Sequence, residues 1–166
     1  MKKLGRTGQR RLKMLHLLCA GLWLSAGMIL ILMLGTLQPT QDGALHGRDL
    51  ALKFIDDFII IPAALGCLLT GSIYGIWTRW GFFRRRWVTV KWLITIYGIL
   101  TGTFLLGPWL NSLPPVSSEM GLAALSNAAY LHARRMNLIF GAIQVASLLF
   151  ALVISVLKPW GRASGQ

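Results

Sequence analysis

Four long runs of apolar residues decide what this chain can become. They cover about 14–34, 58–77, 92–110 and 136–157 and leave only short connections between them. A helix needs ~20 apolar residues to cross the ~30 Å hydrocarbon core of a bilayer, whereas a transmembrane strand needs only about 10. In lipid the backbone N–H and C=O groups have no water to pair with, so runs of this length must be helical. Inside them the polar side chains are mostly Ser, Thr, Asn and Gln, with His16 the exception. Four helices use most of the 166 residues, and 55% hydrophobic composition exceeds what a soluble domain of this size buries. The expected fold is all-α, a four-transmembrane-helix bundle forming a single integral membrane domain over residues 1–166. Its first run is longer than the 7 to 15 apolar residues of a signal peptide and ends without an A-x-A site, so it is expected to be retained.

The net charge of +12 is unevenly placed. Lys2, Lys3, Arg6, Arg10, Arg11 and Lys13 precede the first run, Arg79, Arg84, Arg85, Arg86 and Lys91 separate the second from the third, and Lys158 and Arg162 follow the fourth. The other two connections hold Arg48, Lys53, Arg134 and Arg135, together with all five acids, Asp42, Asp49, Asp56, Asp57 and Glu119. Excess Lys and Arg stay cytoplasmic, so both termini are expected inside. Each basic residue near the surface draws anionic headgroups by about 1 kcal/mol, which accounts for Arg84 to Arg86 without nucleic acid. Nothing in so short a loop could stack on or read bases, and no nucleic-acid partner is expected.

The first acid-bearing connection reads as a loop from "LGTLQPTQDG" to about Lys53 that contains His46. The second, from Asn111 to about Tyr130, is open between a short amphipathic helix at "GLAALSNAAYLHARR" and an extension of the last helix. Pro62 lies one turn into the second helix and is expected to bend its start. Small residues four apart, Gly21 with Ser25, Gly71 with Gly75 and Gly98 with Gly102, point to close helix packing. Cys19 and Cys67 are read at different depths, so a disulfide between them is not expected.

His16 lies about one turn inside the first helix, where an imidazole is costly without a partner. Its face continues through Ala20, Trp23, Gly27 and Leu34. Lys91 holds a similar depth on the third helix, below Thr95, Gly98, Gly102 and Trp109. Two readings stand. In one, neighbouring helices fill these grooves, His16 bonds a carbonyl and Lys91 snorkels to headgroups. In the other, the grooves frame a flat cofactor and His16 is an axial ligand to haem iron. At the acid-bearing end Asp56, Asp57, His132, Arg134, Arg135 and Asn137 form a possible polar cluster, read either as a set of ion pairs such as Asp57 with Arg134 or as a proton or quinone site with His132 as relay. His16 and His132 lie some 25 Å apart by helix rise and cannot clamp one haem. A bis-histidine site would need His46 and His132. No hydrolytic triad, phosphate loop or metal-spaced cluster occurs in the sequence.

Two segments resemble a family pattern. "KMLHLLCAGLWLSAG", residues 13 to 27, and "RWVTVKWLITIYG", residues 86 to 98, are similar to helix openings of HemJ-type protoporphyrinogen oxidases, CopD-type copper-resistance proteins and small bacterial membrane proteins of unassigned function. The stretch "DDFIIIPAALGCLLTGSIYGIWTRWGFF" looks most like the last group. The resemblance implies haem b, with His16 and Lys91 at the functional positions. After the tryptophan, HemJ-type chains continue with a tyrosine-leucine-proline-arginine run, where this one reads "LSAGMILILMLG"; this weighs against protoporphyrinogen oxidation. A copper tract rich in Met or His is missing too. The expectation is a small haem b-binding redox protein or a subunit of a membrane redox complex, with His16 on the iron and Lys91 on a propionate. The alternative is a non-catalytic accessory subunit whose glycine faces pack on a larger membrane protein or a second copy.

Overall fold

The computed structural model describes residues 5–77 and 86–157. Its elements are α1 (Arg6–Thr36), α2 (Asp42–Ile55), a π-turn (Asp56–Ile60), α3 (Ile61–Trp77), α4 (Arg86–Thr101), a second π-turn (Gly102–Leu106), α5 (Gly107–Asn111), α6 (Leu113–Met120), a 3-10 segment (Gly121–Ser126) and α7 (Ala128–Leu157). All four apolar runs are helical, and four continuous stretches, Arg6–Thr36, Asp42–Trp77, Arg86–Ser126 and Ala128–Leu157, are long and apolar enough to cross a membrane. Large apolar side chains face outward around the bundle, from Leu18 at 63% exposed to Val156 at 73%, an arrangement suited to lipid. The chain is a multi-pass, all-helical membrane protein.

The two π-turns share one cause. A proline lacks the N–H that would bond the carbonyl four residues back, and its ring presses on that carbonyl. For Pro62 and Pro108 the carbonyls concerned belong to Phe58 and Phe104, each in the middle of a π-turn. Just before each proline the backbone N–H reaches back five residues, from Ile61 to Asp56 and from Gly107 to Gly102. Widening one turn makes room for the ring and keeps the helix going. Pro62 thus leaves a bulge in one continuous rod, while α2 extends well before it.

α1 is the hub. It runs antiparallel to α3, with Gln9 beside Tyr74, His16 beside Thr70 and Cys19 beside Gly66. It also runs antiparallel to α7, with Gly27 against Val145 and Gly141 against Ile31. α4 packs chiefly on α7 and only lightly on α3. The closest approaches differ from the expected small-residue pairs. Gly21 and Gly102 have open space where a side chain would go, whereas Gly98 is tightly packed, under the Trp23 ring. Cys19 and Cys67 come to the same level, since Cys19 presses on Gly66; both are free thiols.

Gly66 is the tightest of these helix contacts, because a Cβ there would lie 2.6 Å from Cys19 Sγ. Cys19 has one torsion with which to escape. Gly66→Ala is therefore expected to cost about 1–3 kcal/mol in thermal unfolding in detergent, as overpacking does elsewhere. Adding Cys19→Ala should return most of it. No rescue by that second change would mean that the contact is not what requires glycine.

The acid-bearing end is a well-packed cap. Helices of about 30 residues are ~45 Å long and so overrun the hydrocarbon. Here α1 and α7 meet α2, α6 and the 3-10 segment around Leu34, Leu45, Leu52, Leu113 and Tyr130, all almost fully buried. The expected loop before Lys53 is instead α2. Its buried face, Leu45, Arg48, Asp49 and Leu52, has the i, i+3, i+4, i+7 spacing of a packed helix. The second connection is α6 and the 3-10 segment, followed by an extension of the last helix from Ala128. Gly121 joins α6 to that segment at φ +54, and Asp42 Oδ1 accepts the next N–H, from Leu122, at 2.6 Å. The positive φ requires glycine there.

Candidate functional site

Toward the opposite end, where α1 and α4 begin and α3 and α7 end, the four rods line a cavity of about 410 Å³. Each helix contributes a stripe at helical spacing. α1 gives Lys13, His16, Ala20 and Trp23; α3 gives Cys67, Gly71, Tyr74 and Gly75. α4 adds Trp87, Lys91 and Thr95, and α7 adds Leu148, Ala151 and Ser155. The volume lies within the ~300–1,000 Å³ of small-molecule and cofactor sites. Gly71 keeps one wall thin, because even a methyl group there would touch Trp92 and the His16 ring at 3.6 and 3.9 Å.

The His16 hydrogen bonding fixes its chemistry. Its Nδ1 lies 2.7 Å from Thr70 Oγ1. The Thr70 hydroxyl has one proton and gives it to the Gly66 carbonyl at 2.6 Å, with the Cys67 carbonyl further off at 3.2 Å. Thr70 can therefore only accept from His16, which places the imidazole proton on Nδ1. Nε2 keeps its lone pair, the form in which a histidine binds a metal, with its other nitrogen held by a second group. The expected carbonyl partner of His16 is thus a hydroxyl, itself anchored to a carbonyl.

Lys91 lines the same cavity, so the two residues singled out in the sequence do come together. Lys13 joins them. Every acid of the chain lies in or beside the cap, on α2, the first π-turn or α6, leaving both amines without an acidic side chain nearby. Tyr74 closes one side by donating to the Gln9 carbonyl at 2.8 Å. Sequence reasoning missed Lys13, Thr70 and Tyr74. Lys13 was within reach, one turn before His16 on the same face. Arg84 and Arg85 lie outside the described residues, and Arg86 is exposed at the start of α4.

No family model, curated protein or solved structure matches this chain.

At the capped end the structure breaks up the expected polar cluster. Asp57 pairs with Lys53 at 2.7 Å, not with Arg134, and Lys53 also donates to Asn111 Oδ1 at 2.7 Å. Arg134 instead donates to the Leu34 carbonyl at 2.9 Å. Asn137 is buried and donates to the Ala133 carbonyl in its own helix, and Arg135 is exposed. His132 stands edge-on to Trp109, whereas His46 lies 3.4 Å from Ser117 Oγ. Asp56 is half-buried in the first π-turn. Among the described residues, no three His, Cys, Asp or Glu side chains gather where they could hold a metal.

The buried charges of the cap are Arg48 and Asp49, which the sequence placed in a loop. Arg48 donates to Asp49 Oδ1 at 2.8 Å and to Tyr130 Oη at 2.7 Å, and Tyr130 donates to Asp49 Oδ2 at 2.7 Å. Arg48 also reaches the Leu37 carbonyl at 3.1 Å. With Arg134 on Leu34, two guanidinium groups cap the orphan carbonyls where α1 ends, the favourable place for positive charge. This network clasps α1, α2 and α7 together. Its groups satisfy one another.

Proposed function

We propose that the chain is a small redox protein of the bacterial inner membrane that binds haem b in the cavity, with both termini cytoplasmic. The observation that carries this reading is the His16 ring, held through Nδ1 by Thr70 on the wall of a cavity of cofactor size. Thr70 orients the ring as a supporting hydroxyl would orient a metal ligand. Lys13 and Lys91 supply positive charge for carboxylates at the edge nearest the headgroups, and Trp87, Trp92 and the small residues Ala20, Gly71 and Gly75 suit a flat ring. Bound haem would supply one-electron chemistry. The protein's part is to hold the ring, neutralise its carboxylates and exclude water from its apolar face. The orientation rests on Lys and Arg gathered at the end that carries the termini.

The test is an absorption spectrum of detergent-purified protein from cells supplied with haem precursor, before and after dithionite. A Soret band and a sharpened α band on reduction are expected. A flat visible spectrum would sink the reading and leave the accessory-subunit alternative.

A further inference from the structure

Beside the Trp23 end of the cavity two polar atoms are buried without a hydrogen-bond partner among the described residues, the indole N–H of Trp23 and the carboxamide oxygen of Gln144. The two residues are 2% and 7% exposed. Both border Gly98, where a Cβ would lie 3.0 Å from Trp23 Cζ2 and 3.9 Å from Gln144 Cδ. Trp23 lines the cavity, and Gln144 is one turn beyond Leu148 on the α7 face that lines it. One unpaired donor and one unpaired acceptor thus stand beside the Trp23 end of the cavity. Buried polar groups of this kind are normally satisfied, so the pair calls for a partner that accepts from one and donates to the other. A hydroxyl group does both.

Along α1, Trp23 is seven residues from His16, about 10 Å by helix rise, and ten from Lys13, about 15 Å. A ring bound by His16, with carboxylates toward Lys13 and Lys91, would turn its opposite edge to Trp23 and Gln144. We propose that the cavity selects a tetrapyrrole bearing a hydroxyalkyl side chain on the edge opposite its propionates, and that Trp23 and Gln144 hold that hydroxyl. The inference rests on the haem reading and names the class of haem the site prefers.

The experiment titrates haem-free protein with haem b and with iron haematoporphyrin, in which hydroxyethyl groups replace the vinyls opposite the propionates, following the Soret band. Wild-type protein should bind the hydroxyethyl haem about tenfold more tightly, the effect of two neutral hydrogen bonds. Gln144→Leu, outside the cavity lining, should reduce that preference and leave haem b affinity unchanged, and Trp23→Phe should weaken the hydroxyl-bearing haem more than haem b. Equal affinities in the wild type would overturn this proposal alone and assign the gap to a bridging water. Equal losses for both haems in both variants would overturn it as well. Failure of either haem to give a Soret band would remove the haem reading, and this inference with it.

Discussion

Asp49→Ala is expected to destabilise the protein by about 3–5 kcal/mol, more than any change on its lipid-facing surface. Asp49 is fully buried, and its two oxygens take bonds from Arg48 and Tyr130. Truncation leaves the Arg48 guanidinium, itself 5% exposed, without its counter-charge, which is the costly way to break a buried pair. It also strips the Tyr130 hydroxyl of its acceptor. Tyr130→Phe should cost less, about 1–3 kcal/mol, since it unpairs neutral and partly satisfied groups. The double change Arg48→Met with Asp49→Leu should recover most of the loss, because apolar side chains of similar size remove both charges from the cap. Unfolding of the three variants and the wild type in detergent decides the matter. An Asp49→Ala protein as stable as wild type would mean that water reaches the cap and that the network contributes little.

The same cluster marks what the sequence hid. The membrane helices were legible because lipid demands an uninterrupted apolar run, a signal carried by every residue in it. α2 was not, because half of its buried face is charged: Arg48 and Asp49 read as loop residues until their partner, Tyr130, is brought in from 81 positions away. The π-turns were half legible, since Pro62 announced a disturbance without showing that the helix would widen and continue. The similar depth of His16 and Lys91 was readable from helix position and face, and the structure sets both on one cavity. The Asp57–Arg134 pairing failed for a local reason. Lys53 lies one turn from Asp57 on the same helix, and the carbonyls ending α1 offered Arg134 another partner.

His16→Ala is expected to abolish bound haem, and the contrast with Thr70→Val tells ligation from mere packing. If His16 served only to fill space, its truncation would enlarge the cavity and leave any chromophore bound. If His16 ligates haem iron, the Soret band should disappear from the purified variant, and added imidazole should restore it by entering the space the side chain left. Thr70→Val keeps the shape but removes the oxygen that accepts the His16 Nδ1 proton at 2.7 Å. Haem should then remain, bound about 10–100-fold more weakly, as follows the loss of a supporting group behind a metal ligand. The reduced spectrum should keep its form, since the ligand to iron is unchanged. Lys91→Ala should act differently again, weakening haem that carries free propionates and leaving a haem with esterified propionates bound as before, because its amine answers only their charge. Full haem content in His16→Ala would place the iron ligand elsewhere. An identical response of both haems to Lys91→Ala would take that lysine out of the site.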